Sequence, residues 1–270
     1  MNVSINITCD ENYSPYAGVF INSLNTNSPG VNVVVRAVNC KPKTIKHIES
    51  LADNVKVIND TTSLSTKRDI MSHGQELVYD NLFESLQRNK TSIRSPRLLC
   101  SEQMAYCSNI KFDTIKTLLF DSAVDMAIYM DIDTIIRGDL SGMFEAVTTG
   151  DIAMYKDAPY TEQHPGSNRL QGNEVLYHGG LICVNNNDRT RKLFQEWSDI
   201  VNKDMLNWDV DEDLFYSVHN RDDIQIVCLD ETYKDEELRD SSIVWSGAGQ
   251  TKFTQDKYIQ ECKKYDRKFR

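Results

Sequence analysis

The chain has 270 residues, 40% of them hydrophobic and 26% charged, a balance ordinary for a folded globular protein and too apolar for a disordered one. Its 30 Lys and Arg against 40 Asp and Glu give a net charge of −10, which argues against a function built on wrapping a nucleic-acid backbone, where cationic surface supplies most of the affinity. No apolar run approaches the ~20 residues a membrane span needs, and the start, Met1-Asn-Val-Ser-Ile-Asn-Ile-Thr8, has no basic region, long apolar stretch or small-residue cleavage site, which predicts a cytoplasmic location.

Short apolar runs alternate with longer amphipathic stretches, the signature of an α/β fold. Val3–Cys9 reads as a first strand, which puts the triplet Asn6-Ile-Thr8 inside it rather than on a glycosylated loop. Pro15 then opens a helix through Val19, Phe20, Ile21 and Leu24, which ends in the turn Asn27-Ser-Pro-Gly30. Val31–Val38, rich in β-branched residues, is a second strand, followed by a helix over Thr44–Ala52 and a strand over Val55–Ile58. The stretch 61–95 is polar and weakly periodic and reads equally as an insertion, a lid or a helix pair. Beyond it come a helix (Ile110–Phe120), a strand (Asp125–Met130), a strand (Ile152–Tyr155), a loop (Lys156–Glu174), a strand (Leu181–Asn185) and a helix (Asp188–Lys203). A helix over Asp209–Val218, strands at Ile224–Cys228 and Ile243–Trp245, and a terminal helix from Gln255 complete the pattern. The seven cysteines are scattered without a Cys-x-x-Cys pair, against a zinc ribbon or dithiol site, and Cys9, Cys183 and Cys228 lie in apolar runs as expected of small core residues. One continuous α/β domain over 1–254 with a basic amphipathic helix over 255–270 is the expected organisation, and such a helix is suited either to packing on the domain or to weak contact with an anionic membrane surface.

The strongest chemical signal is Tyr129-Met-Asp131-Ile-Asp133, where an apolar strand feeds directly into two carboxylates. In extended chain, residues i and i+2 point the same way, roughly 6.5–7 Å apart, and two such carboxylates can share one hard divalent cation. Two acidic residues in an ordinary strand-to-loop turn is the bland alternative. A second cluster, Asp10-Glu-Asn12-Tyr13, ends the first strand and offers a carboxylate, an amide and a phenol that could read a nucleoside; a capped loop is the competing explanation. Asp209-Val-Asp211-Glu-Asp213 begins like a calcium loop but has Leu214 at the sixth position and Asn220 at the twelfth, which excludes an EF-hand. Gly247-Ala-Gly249-Gln-Thr-Lys252 lacks Gly-Lys-Ser/Thr, which excludes a Walker loop.

Taken together and in order, these segments resemble family 8 glycosyltransferases. The pattern Asp-x-Asn-Tyr with a following Ser-Leu is met by Asp10-Glu-Asn12-Tyr13 and Ser23-Leu24, and Tyr-Leu-Asp-x-Asp by Tyr129 through Asp133 with Asp139-Leu140 behind it. Asn-Ala-Gly resembles His178-Gly179-Gly180, Asp-Gln-Asp resembles Asp211-Glu212-Asp213, and His-x-x-Gly-x-x-Lys resembles Ser246-Gly-Ala-Gly249-Gln-Thr-Lys252. The resemblance implies a single domain of the GT-A nucleotide-diphosphosugar transferase type, with a Rossmann-like mixed sheet flanked by helices. It implies transfer of a hexose from a UDP-sugar to an acceptor hydroxyl (glycan, lipid-linked sugar or protein), with retention of configuration and Mn²⁺ or Mg²⁺ as cofactor. Carried over by position, Asp10, Asn12 and Tyr13 would hold the nucleoside, Asp131 and Asp133 the metal, and Gly249 and Lys252 the diphosphate. His178, Gly179 and Asp211 would border the transferred sugar, and either Lys111 or Arg97 would supply a basic donor-binding residue. Three departures stand out. Ser246 replaces the third metal ligand, a His; His178 replaces an Asn; and Glu212 replaces a Gln on the sugar's reactive face, where a carboxylate could act as nucleophile, oxocarbenium stabiliser or base. A sugar-1-phosphate nucleotidyltransferase lacks its glycine-rich, basic loop after the first strand, and Ser246 alone favours a non-catalytic sugar-nucleotide or glycan binder.

Overall fold

Runs of β-branched and aliphatic residues with no polar alternation form strands buried on both faces, as parallel sheets require. The computed structural model describes residues 1–66, 101–156, 177–207, 210–219, 221–247 and 249–269. Within them, β1 (Val3–Asp10), β2 (Asn32–Val38), β3 (Val55–Asp60), β4 (Met126–Met130), β6 (Ile152–Lys156), β7 (Tyr177–Asn185) and β8 (Ile226–Leu229) make one seven-stranded sheet in the order β3-β2-β1-β4-β7-β6-β8. β1 pairs in parallel with β2 and β4, β2 with β3, and β6 with β8; β7 runs antiparallel to both of its neighbours. A second, two-stranded ribbon joins β5 (Ile135–Ile136) to β9 (Val244–Trp245). The helices are α1 (Ser14–Asn27), α2 (Pro42–Glu49), α3 (Glu102–Leu119), α4 (Ser141–Thr148), α5 (Asp188–Val201), α6 (Val210–Val218) and α7 (Asp256–Tyr265), with a 3₁₀ turn at Gly249–Thr254.

The helices cover the sheet on both sides. Phe20, Ile21 and Leu24 of α1 pack with Ile5, Ile7, Val33 and Val35 on one face. On the other, Phe112 of α3, Phe194 and Trp197 of α5 and Phe215 of α6 pack over Tyr129, Ile182 and Val184. Phe112 meets Trp197 edge-on with centroids 5.6 Å apart, and each such fully buried side chain contributes on the order of 1.5–3 kcal/mol through its removal from water.

Most expected elements are present, and the differences have local causes. α3 begins eight residues before the expected Ile110, because the Ser101 hydroxyl accepts the Met104 N–H as its cap (3.2 Å) and polar residues on its buried face (Gln103, Asn109, Lys111) break the apolar period. β7 starts at Tyr177 rather than Leu181, since His178-Gly-Gly180 carries no β-branched residue to announce it. Cys9 and Cys183 are buried, but Cys228 is exposed: it lies on β8, an edge strand of the sheet. Asn6 is fully buried and donates to the Ile128 carbonyl (2.7 Å). The apolar face of α7 is turned inward: Tyr258 and Cys262 pack with Val19, Trp245 and Phe269, and its basic side chains point out. The weakly periodic stretch lies outside the described residues from 67 onward, as do the loop 157–176 and Arg97. Among the described residues no helix is long and apolar enough to cross a membrane.

Candidate active site

Parallel pairing of β1 with β4 brings their C-terminal ends to one edge of the sheet, where ligands bind in open α/β folds. Antiparallel β7 brings its own N-terminal half to the same edge, with Leu181 opposite Met130 and the Gly180 carbonyl accepting the Asp131 N–H (3.0 Å). Asp131 and His178-Gly179-Gly180 therefore meet although they are far apart in sequence, and Asp10 lies at the same edge of the sheet.

The Asp10 carboxylate organises the first loop. One oxygen accepts the backbone N–H groups of Asn12 and Tyr13 (2.9 Å each), and the other accepts the Gln103 side-chain amide (2.6 Å). Asn12 is left exposed and Tyr13 half-buried, its ring 5.9 Å from Tyr16 and 6.4 Å from Phe253. Gln103 was not among the expected site residues, because nothing in its sequence context separates it from an ordinary first-turn glutamine.

Asp131 and Asp133 follow β4 directly. The Tyr129 hydroxyl donates to Asp131 Oδ1 (3.0 Å), and a Cβ on Gly180 would come within 2.5 Å of Asp131 Oδ2, so only glycine leaves that oxygen its place. Lys252 is buried, with its ammonium 2.8 Å from Asp133 Oδ2 and donating to the Ser246 carbonyl (2.6 Å). Gly247, at φ +63°, makes room for it: a Cβ there would lie 2.6 Å from Lys252 Cδ. Burial pushes the Asp133 carboxyl above its ordinary range; Lys252 draws it back and the Asp131 charge adds to the rise. The Tyr258 hydroxyl donates to the Asp133 carbonyl (2.5 Å) and fixes the turn from behind.

The donor set is all oxygen, two crowded carboxylates and the Ser246 hydroxyl, which suits a hard divalent cation. The Ser246 hydroxyl donates to the Asp235 carbonyl at 3.3 Å and retains lone pairs. Among the described residues no three His, Cys, Asp or Glu are grouped to hold a metal ion. The residues present thus fit a cation that a phosphate ligand and water would help to hold, not one enclosed by protein.

Lys111 lies under this edge, almost fully buried. Its ammonium sits 2.8 Å from Asp211 Oδ2, 3.5 Å from the Gly179 carbonyl and over the rings of Tyr129 and Phe215. Ser108 also donates to Asp211 (3.2 Å). Asp211 is thereby fixed beside Gly179. Glu212 follows it on α6, with its side chain outside the described residues, and Gly249 opens the 3₁₀ turn that carries Lys252. Of the expected residues, Asp131, Asp133, Lys111, Asp211, Gly179, Ser246 and Lys252 are joined through these contacts, directly or by way of a neighbouring residue, whereas Asp10 organises its own loop at the same edge.

The glycosyl transferase family 8 model matches residues 4–216. No curated protein matches by sequence. The galactosyltransferase LgtC, solved with donor and acceptor sugar analogues, superposes with a TM-score of 0.56 at 14% identity, over 97% of this chain and 93% of its own. Mouse xyloside xylosyltransferase 1 gives 0.50 at 12% identity (93% and 99% of the two chains), and the glycosyltransferase GlyE of Streptococcus pneumoniae TIGR4 gives 0.52 at 13% (93% and 55%). At these identities the likeness establishes a common fold, the GT-A arrangement that the motifs implied.

Proposed function

The chain belongs to glycosyl transferase family 8, and on that premise we propose that it moves a hexose from a UDP-sugar to an acceptor hydroxyl on a glycan, lipid-linked sugar or protein, with a divalent cation and with retention of configuration. The observation that carries the reading is the buried Lys252–Asp133 pair beside Asp131, a cation and two carboxylates at the end of β4. With a divalent cation on the two carboxylates the grouping would carry net positive charge, which suits a diphosphate leaving group better than a neutral ligand.

Mn²⁺ or Mg²⁺, held by Asp131 and Asp133 with Ser246 as a weaker oxygen donor, would neutralise charge on the departing diphosphate. Lys252, desolvated and held by Asp133 and the Ser246 carbonyl beside the backbone of the Gly249 turn, would offer its remaining N–H to the same oxygens. Asp10 holds the turn that presents the Asn12 amide and the Tyr13 ring to the nucleoside. His178, Gly179 and the Lys111-fixed Asp211 would border the sugar, and Glu212, by its place in the family's motif next to Asp211, would supply a carboxylate able to stabilise positive charge at the anomeric carbon.

The first experiment is NMR of the purified protein with a panel of UDP-sugars, with and without Mn²⁺. Metal-dependent consumption of one donor, with release of the same anomer, is expected; absence of both turnover and UDP binding would sink the proposal. Asp131→Ala should abolish metal-dependent UDP binding while the circular dichroism spectrum stays that of the wild type. Glu212→Gln should lose most transfer with donor affinity kept, and a wild-type rate would make Glu212 a bystander.

A further inference from the structure

We propose that Glu236, together with His178, reads two neighbouring hydroxyls of the transferred sugar, the imidazole giving one hydrogen bond and the carboxylate accepting the other. The inference rests on the donor-site reading above and adds a residue that none of the family's motifs contains.

His178 stands where β7 enters the site. Its Nδ1 accepts the Gly180 N–H (3.1 Å), so the neutral ring carries its proton on Nε2. That nitrogen lies 4.0 Å from Glu236 Oε1. The ring also lies on the Asp131 side of Gly180: a Cβ there would stand 3.2 Å from His178 Cε1 and 2.5 Å from Asp131 Oδ2. A sugar attached to a diphosphate at Asp131 would therefore have the His178–Glu236 pair beside it.

The loop that carries Glu236 is built rather than loose. Asp235, 1% exposed, accepts the Glu237 N–H (2.8 Å) and the Arg239 N–H (2.5 Å) with its carboxylate, and its carbonyl accepts the Ser246 and Gly247 N–H groups (3.0 and 3.1 Å). Leu238 is buried in the left-handed region at φ +57°, a conformation that a bulky residue holds only where its surroundings impose it, and such residues gather at functional sites. The same loop thus fixes Glu236 and the Ser246-Gly247 backbone next to Lys252.

Beneath it, the Lys234 ammonium is 3% exposed and pairs with Glu236 Oε1. A buried ammonium needs that carboxylate ionised, and the contact sets the direction in which Glu236 points. Neutralising Lys234 alone would call for a carboxylate buried with it. Glu236 instead keeps 36% of its side chain exposed and His178 33%, so a donor and an acceptor stand where one sugar could reach both, and a site built to hydrogen-bond a hydroxyl discriminates strongly against a sugar that lacks it.

Calorimetric titration with UDP, UDP-glucose, UDP-galactose, UDP-N-acetylglucosamine and UDP-xylose in Mn²⁺ tests this on the wild type, Glu236→Gln and His178→Ala. The wild type should hold at least one UDP-sugar tighter than UDP. Each variant should cut that sugar-dependent gain by about 10-fold, the loss expected for a hydrogen bond to a charged group, with UDP affinity within twofold of the wild type. The double variant should lose less than the product of the two single losses, because both groups serve one sugar. A full sugar gain in Glu236→Gln, an equal loss of UDP and UDP-sugar, or a wild type that gains nothing from any sugar would each overturn the proposal. A wild type that does not bind UDP at all would instead overturn the donor-site reading beneath it. If Glu236→Gln leaves Lys234 too poorly paired to fold, Lys234→Met with Glu236→Gln removes both charges and gives the same readout.

Discussion

Lys252 shows how much of the site depends on a single neighbouring hydrogen atom. Gly247 holds φ +63°, and any side chain there would run into the methylene stem of Lys252. Gly247→Ala therefore carries two penalties, roughly 1–2 kcal/mol for a left-handed alanine and the displacement of the ammonium from Asp133. A lowered melting temperature together with UDP affinity reduced on the order of tenfold is the expected outcome, and unchanged UDP affinity would show that Lys252 does not act through this placement. Residues of this kind divide sharply in how far sequence reveals them. Asp131 and Asp133 are legible as candidates because an apolar strand feeds directly into them, and Lys252 only through the family motif that its segment resembles. Gln103 and Glu236 are not, because each faces a partner on another element: Asp10, 93 residues away, and His178 across the site.

Between elements, Asp151 plays the part that apolar packing plays elsewhere. It lies immediately before β6, is fully buried, and accepts from the Asn187 amide (2.9 Å), from Arg189 Nη2 (2.8 Å) and from the Gln225 N–H (2.8 Å), so it ties the start of α5 and the approach to β8 to the sheet. Burial alone would push its carboxyl up, but Arg189 and these donors hold it below its ordinary 3.8. A depressed folded-state value means that its stabilisation is complete above pH 3.8 and is lost as pH falls through the lower folded value. Asp151→Asn should cost about 1–3 kcal/mol at pH 7 in urea denaturation, with the gap to the wild type narrowing toward pH 3; a gap independent of pH would refute the assignment. At this scale the strands were readable, as were α1, through Pro15 and its apolar run, and α5, through its regular apolar face. The start of α3 and the first half of β7 were hidden where buried polar residues and glycines interrupt the apolar pattern, so local pattern and local structure part company there.

Across the molecule, three clusters of buried side chains divide the work. Two cover the faces of the sheet, and the third, built from Val19, Trp245, Tyr258, Cys262 and Phe269, fastens the last helix to the first. The order of the motifs made the sheet and its binding edge foreseeable, whereas the inward face of α7 was not, since a basic amphipathic helix has the same pattern whether it meets its own domain or another surface. Tyr258→Phe keeps the packing and removes only the hydroxyl that serves the Asp133 carbonyl. The expected result is a loss of about 1–3 kcal/mol in urea denaturation, and unaltered stability would mean that this carbonyl finds another donor.

The bond between Tyr258 and Asp133 spans 125 residues of chain, and it sets a schedule. A ribosome adding about 5–20 residues per second exposes the acidic turn on the order of ten seconds before the tyrosine that steadies it. Until then the growing polypeptide carries Asp131 and Asp133 without Lys252 to balance them or α7 to brace them. With Lys252 in the role proposed for it, an interrupted translation product ending before residues 252–258 would be catalytically silent rather than a partial enzyme.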